Sequence, residues 1–437
     1  MDFTELYKQS QYLSRFSPNG QYIATAFKQK LAFREASSLQ ILSIHTSADL
    51  IENIAWSADS ELLFAASYKA GIINIWSVSD KKWSAKIEEG TVGLTNAKWS
   101  PDGRSVLCFS DFQVRTTIWS LITGEACFIQ FPKYSDKGFD FRKDGKYFVL
   151  AERRDGKDFV GIYDCNNAWT LLKHFQVDTV DLENLAWSPD GRYIAIWDKC
   201  IDYKVLIYTP DGRRQQLFSA YYMGLGVKTA VWAPSSQFLA VGSYDQKIRF
   251  LNHYTWTPTL EFTHFNPVNG IDNLVIMREA REMKDRRSIR KYVIDQQPME
   301  LPEIRPDPEK PNPKLGVGLC KFNANGTLVA SRNDNMPNSL WIWDISLLKP
   351  ITIFIQLMPI RNFQWNPCYP NQLVLCCGSE YIYVWSGSEI GADIIEVPQV
   401  NFLVNSFRWN PDGHSLLLMD KEVFCVGFFV NEEEPDD

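Results

Sequence analysis

Trp187-Ser188-Pro189-Asp190-Gly191, running straight into the apolar stretch YIAIW (193–197), decides how this sequence folds. Pro pre-sets the first corner of a turn, Asp bonds its own backbone, and Gly accepts a positive φ. A large aromatic therefore ends one strand, and a short turn launches the next. The same pattern appears as Phe16-Ser17-Pro18-Asn19-Gly20, Trp56-Ser57-Ala58-Asp59-Ser60, Trp99-Ser100-Pro101-Asp102-Gly103 and Phe141-Arg142-Lys143-Asp144-Gly145. It continues as Trp232-Ala233-Pro234-Ser235-Ser236, Phe322-Asn323-Ala324-Asn325-Gly326, Trp365-Asn366-Pro367-Cys368-Tyr369 and Trp409-Asn410-Pro411-Asp412-Gly413. From Phe16 onward the aromatics advance by 40, 43, 42, 46, 45, 90, 43 and 44 residues.

Each turn is followed by a β-rich apolar run, such as YIATAF (22–27), LLFAAS (62–67) or FLAVGS (238–243). A further strand ends in an Ile-Trp-type pair: Ile75-Trp76, Ile118-Trp119, Ile162-Tyr163, Ile207-Tyr208, Ile342-Trp343 and Val384-Trp385. Of these pairs, only Ile342-Trp343 carries an Asp directly after a Trp. Period-2 strands split by turn signals mean an all-β fold. A period of about 40–45 residues is that of a four-stranded blade. Over nearly its whole length the chain resembles the WD40-repeat superfamily, which implies a β-propeller. It departs from that family in having only five histidines (45, 174, 253, 264, 414). The Gly-His of a typical repeat is thus largely missing, and aromatic packing is expected to replace buried histidine networks.

The last unit offers strands at 404–409, 415–420 and 423–430 but no fourth, while residues 2–9 are spare. An unpaired strand edge invites aggregation. The N-terminal segment is therefore expected to complete the C-terminal blade. Nine units exceed the usual four to eight blades. The expectation is an all-β WD40 β-propeller over 1–437, a single ring of about nine blade-like units closed by its terminal strands. A smaller ring with degenerate units is the alternative. The doubled 90-residue interval holds one non-blade insertion, 265–313, charged over Arg278–Arg287 and Pro-rich from Pro298 to Pro313. Opposite charges at i,i+4 (Arg278 with Glu282, Arg281 with Asp285, Glu282 with Arg286) would support a short helix. A thin apolar stripe favours instead a flexible, solvated insertion. The acidic tail, 431–437, reads as solubilising.

With 45 Lys and Arg against 52 Asp and Glu, the chain carries a net charge of -7. An acidic chain repels phosphate backbones, so nucleic acid is not an expected partner. No apolar run reaches the roughly 18 residues of a membrane helix, and the N-terminus lacks a signal-peptide pattern. Neither a membrane nor an oxidising compartment is expected, and the nine cysteines, with no Cys-x-x-Cys pair, read mostly as core. Asn325-Gly326-Thr327 reads as a tight turn rather than a glycosylation site. Nucleophile elbow, phosphate loop and His-Glu-x-x-His are all absent. Gly224-Leu225-Gly226 and Gly316-Val317-Gly318 lack a third glycine. Cys376 and Cys377, adjacent in a strand, face opposite sides, and the histidines have no zinc spacing. No cofactor, metal or catalysis is expected.

Binding has better support. Loops between the second and third strands of all blades emerge on one face of a propeller, and here they are polar. They include Glu152-Arg153-Arg154-Asp155-Gly156-Lys157-Asp158, Asp198-Lys199-Cys200-Ile201-Asp202-Tyr203-Lys204, Tyr244-Asp245-Gln246-Lys247 and Arg332-Asn333-Asp334-Asn335. Recognition commonly sits on such rigidly mounted loops, and Arg beside aromatics is a frequent hot-spot composition. The expected partner-binding residues are Arg153, Arg154, Asp155, Asp198, Lys199, Arg332, Asn333, Asp334 and Asn335. The plain alternative is solvated hairpin tips whose Asp side chains satisfy their own turns.

The strings AERRDGKDFVGIY (151–163), WDKCIDYKVLIYTPDGR (197–213), PSSQFLAVGSYDQKIRFLNH (234–253) and SRNDNMPNSLWIWDI (331–345) are more specific than the blade motif. With the Pro-rich insertion, they make the chain similar to the centrosomal and spindle-pole family of WD-repeat protein eight. That resemblance implies a scaffold bound to a coiled-coil adaptor of the Msd/SSX-interacting type. It further implies microtubule minus-end anchoring at centrosome, centriolar satellite or spindle pole body, and support of spindle organisation and cilium assembly. Kinesin-14 and a microtubule-nucleating complex would be reached through the adaptor. The competing readings are a propeller translation-initiation factor on the ribosome, a WD40 adaptor with an unrelated partner, and a propeller hydrolase. The missing basic tail counts against the first, and the missing nucleophile and base against the last.

Overall fold

The computed structural model describes residues 1–284, 287–307, 309–310 and 312–429. Among these there is no α-helix, only two short 3₁₀ turns, and the strands form nine blade sheets, antiparallel except for one parallel pair in the seventh. The chain divides into two compact units. One contains Met1–Gly90, Glu279–Tyr292 and the chain from Gln356 onward; the other contains Thr91–Arg278 and Val293–Ile355.

The repeated turn has one backbone construction in eight of the nine blades, while the eighth blade's turn at Asn366 is a residue longer, with Asn366 N donating to Gln372 O. In the fifth blade Ser188 N donates to Tyr193 O at 2.8 Å, and Gly191 N donates to Ser188 O at 2.8 Å, with Gly191 at φ 72°. Ser188 Oγ donates to Asp190 Oδ1 at 2.5 Å and accepts from Tyr193 N at 3.0 Å. Two blades carry Ser at the glycine position, with Ser60 at φ 65° and Ser236 at φ 62°. Each of these hydroxyls accepts the backbone N–H of the preceding blade's turn, from Asn19 and Asp190 respectively, both at 3.0 Å. A hydrogen bond between blades thus offsets part of the cost of a left-handed non-glycine residue.

The aromatic before the turn also joins neighbouring blades. The indole N–H of Trp56 donates to Arg15 O, that of Trp232 to Ala186 O, and that of Trp409 to Gln364 O, at 3.2, 3.2 and 3.4 Å. Second strands such as Leu62–Ser67 and Ile194–Asp198 are buried on both faces. They accordingly read as continuous apolar runs rather than alternating ones.

The N-terminus completes the ninth blade as expected. Asp2–Phe3 and Tyr7–Lys8 pair with Val423–Phe428, in the register Asp2 to Phe428 and Tyr7 to Phe424. The expectation for the insertion needs correction. Val275–Lys284 and Arg287–Asp295 are strands, and they extend the seventh blade to six. Val275 to Arg278 pair in parallel with Thr352 to Ile355. Neither a helix nor a wholly solvated segment forms. Charges predicted to pair along a helix pair across strands instead: Arg278 with Asp295 at 2.6 Å, and Glu282 with Lys291 at 2.6 Å. Helical i,i+4 pairs offer only about 0.2–0.5 kcal/mol each, too little to compete with an open strand edge. Val268, Ile276 and Leu301 of the insertion are buried in the seventh-blade core. The acidic tail at 431–437 lies outside the described residues.

A histidine network joins the sixth and seventh blades. The His264 Nδ1 lies 2.9 Å from Gln246 O, so that nitrogen carries the proton and donates. Nε2 then accepts from Ser331 Oγ at 2.9 Å, and Ser331 Oγ accepts from Trp343 Nε1 at 2.7 Å. Burial brings the His264 pKa down to about 4. Elsewhere aromatic contacts serve, such as Phe33 against Trp56 and Phe148 against Trp169.

Candidate functional site

The most charged constellation in the second unit is built by loops of the third, fourth and fifth blades. Its floor is Asp158, fully buried near the start of the strand Lys157–Asp164. A buried carboxylate needs compensation, and four donors supply it. Lys133 Nζ and Arg153 Nη1 reach Oδ1 at 2.8 and 2.9 Å, while Thr179 Oγ1 and Leu182 N reach Oδ2 at 2.9 and 2.7 Å. Above it, Asp181 is touched by three cations: Lys133 at 2.7 Å, Lys199 at 2.7 Å and Arg153 at 3.1 Å. Burial alone would push the Asp181 carboxyl up. Hydrogen bonds and charge from Lys133 and Lys199 outweigh it and hold the group below the usual carboxylate range. Its hydrogen bond to Asp181 in turn raises the Lys199 ammonium.

Tyr134 anchors the connector between the third and fourth blades, its hydroxyl donating to Leu182 O at 2.8 Å. Burial pushes that phenol up to about 12. The ammonium groups of Lys133, Lys137 and Lys199 lie 5.5, 4.6 and 5.8 Å from its ring centroid. An open cleft of about 590 Å³ lies beside these groups, lined by Phe112, Gln113, Phe131, Pro132, Lys133, Tyr134, Arg153, Asp181 and Lys199. Phe112 is 95% exposed and Phe131 46%. Phe112, Gln113 and Phe131 all hold positive φ, at 54°, 55° and 59°. Backbone strain of this kind tends to collect at functional sites.

The structure separates the expected partner-binding residues. Arg153 and Lys199 meet at Asp181. Arg154 turns aside, stacked over Phe131 at 5.0 Å and donating to the buried Glu152 at 2.7 Å. Glu152 also accepts from Tyr163 Oη at 2.7 Å and lies 3.1 Å from His174 Nε2. Asp155 sits at the exposed hairpin tip with φ 49°.

Asp198 corrects the expectation. It is 1% exposed and accepts the backbone N–H of Val180 and Asp181, both at 3.2 Å. It orders a loop instead of facing a partner, and burial raises its pKa. Asn333 and Asn335 are likewise fully buried, with Asn333 Nδ2 donating to Gln246 Oε1 at 2.8 Å. Arg332 and Asp334 pair at 3.2 Å, and Lys228 pairs with Asp334 at 2.7 Å. The Pro-rich insertion lies over this loop. Glu303 accepts from Asn335, Ile304 N donates to Asn335 O at 2.7 Å, and Leu315 O accepts from Lys228 at 2.8 Å. The chain's own backbone thus occupies the ground on which 332–335 were expected to dock a partner.

Lys133, Tyr134 and Asp181 went unrecognised in the sequence because they sit between the fourth strand of one blade and the first of the next. The polar loops between second and third strands had drawn attention. Among the described residues no group of His, Cys, Asp and Glu could hold a metal, and no helix is long and apolar enough to cross a membrane. Burial raises the thiol pKa of Cys320, Cys376 and Cys425 to about 12, which leaves them unreactive core.

Residues 212–252 match the family model described as WD domain, G-beta repeat. WD repeat-containing protein WRAP73 of Mus musculus is 41% identical over 452 residues, spanning 99% of this chain and 97% of that protein. The chain belongs to the WD-repeat family of WRAP73. An uncharacterized WD repeat-containing protein of Schizosaccharomyces pombe is 24% identical, over 78% of this chain and 73% of its own length. Among solved structures, a chain in the crystal structure of the mitotic checkpoint complex is similar with a TM-score of 0.45 and 13% identity, covering 77% of this chain and 87% of that one. Like WRAP73, this chain is a WD-repeat protein.

Proposed function

We propose that this scaffold holds a coiled-coil adaptor of the Msd/SSX-interacting type at the centrosome, centriolar satellite or spindle pole body. There it anchors microtubule minus ends and supports spindle organisation and ciliogenesis, with kinesin-14 and a nucleating complex joined through the adaptor. The observation that carries this reading is the 41% identity with WRAP73 across 99% of this chain. The site it uses is the cleft of Arg153 and Lys199, because the other predicted loop is covered by the insertion.

Charge reversal tests the reading. In Arg153→Glu/Lys199→Glu, Asp158 keeps Lys133, Thr179 and Leu182 N, and circular dichroism of the purified variant is the control that the fold is retained. Affinity purification at mild salt is expected to recover the adaptor with the native chain and lose it with the variant. A native preparation without a coiled-coil partner, or a tagged chain absent from spindle poles, overturns the proposal.

A further inference from the structure

Arg153 is oriented by Nη1 alone, which donates to both Asp158 and Asp181. Its Nε and Nη2 make no hydrogen bond among the described residues, and its side chain is 37% exposed. That edge of a guanidinium is the fork that binds a carboxylate through two parallel bonds. Lys199, on the other oxygen of Asp181, is 40% exposed. The three cations touch only two carboxylates, so the cleft keeps one surplus positive charge within an acidic chain. Beside it, Phe112 and Phe131 present apolar surface to solvent, each at positive φ.

Resting on the scaffold reading above, we propose that this cleft recognises a partner segment with one acidic side chain next to an apolar one. The carboxylate is gripped by the Nε–Nη2 edge of Arg153 and by Nζ of Lys199. The apolar neighbour lies on Phe112 and Phe131. A single carboxylate matches the surplus charge; an added dianion would meet Asp181 at close range. Arg153 sets specificity because its fork is planar and already fixed, whereas Lys199 contributes a point charge.

Selection of a random-sequence peptide library, displayed on phage, against the purified full-length chain tests this. The enriched peptides are expected to carry Asp or Glu within one or two positions of an aromatic or aliphatic residue. Arg153→Lys keeps the charge and loses the fork, so it should weaken the best synthetic peptide about tenfold or more, whereas Lys199→Arg should retain it. Should Arg153→Lys fail to fold, Phe112→Ser at a fully exposed position reads the same site and should also weaken the peptide about tenfold. Enrichment of peptides without acidic residues, or equal binding to native chain and variants, overturns the inference. Adaptor co-purification decides the scaffold reading separately. Adaptor retained with peptide selection failing sinks only the cleft chemistry, and the converse sinks only the adaptor.

Discussion

The His264 network gives the sharpest test of the packing. Neutral imidazole satisfies both neighbours, donating from Nδ1 to Gln246 O and accepting at Nε2 from Ser331. A second proton would have to enter at Nε2, against a hydroxyl already turned to donate. The folded-state pKa is therefore about 4, against 6.5 for the free group. Because it is lowered, its contribution to stability is complete above pH 6.5 and is lost as pH falls toward 4. At pH 5 the unfolded imidazole is almost wholly charged and the folded one almost wholly neutral, which costs about 2 kcal/mol relative to pH 8. The perturbation is His264→Asn, which keeps a donor and an acceptor but does not titrate. Urea unfolding of native chain and variant at pH 8 and pH 5 is followed by tryptophan fluorescence. Groups shared by the two proteins cancel in the difference. The stability gap between native and variant should move by about 2 kcal/mol in favour of the variant at pH 5. A gap that does not change with pH refutes the assigned tautomer and burial.

Two further outcomes follow from other buried polar groups. Glu279 is fully buried and accepts from Tyr383 Oη at 2.7 Å, Arg290 Nη1 at 2.7 Å and Leu357 N at 2.8 Å. Glu279→Ala strands Arg290, whose side chain is 11% exposed. Removing one partner of a buried pair costs about 3–5 kcal/mol, so limited trypsin cleavage at Arg290 or Lys291 should rise by about a hundredfold to a few thousandfold; unchanged cleavage would show that the pair does not hold these strands. The indole nitrogen of Trp232 has its acceptor on the neighbouring blade, whereas that of buried Trp187 has none among the described residues. Trp232→Phe should therefore cost about 1 kcal/mol more than Trp187→Phe in urea unfolding, and equal losses would rule out a stabilising bond between blades.

Most of the fold could be read in the sequence because each turn is a local device. Ser, Asp and Gly of Trp187–Gly191 satisfy one another within six residues, and nine copies leave little freedom. The closing strand was legible by counting: a three-stranded last unit and spare residues at the start. The strands at 275–284 and 287–295 were not legible. The first of them pairs with the open edge at Lys349–Ile355, which is remote in sequence. Half of the candidate site was equally hidden. Arg153 and Lys199 announce themselves in polar loops, but Asp181 and Lys133 gain meaning only where consecutive blades bring them together. The buried fate of Asp198, Asn333 and Asn335 follows from loop backbone and insertion that need acceptors and donors, and no local pattern marks it.

Amide hydrogen exchange on the chain, free and bound to the co-purified adaptor, tests most directly which surface does the binding. Slowed exchange is expected at 110–114, 131–134, 153–155 and 199–202, with 332–335 unchanged because the insertion already covers it. Protection confined to 332–335, or spread over loops that exclude the Arg153 cleft, would contradict the account.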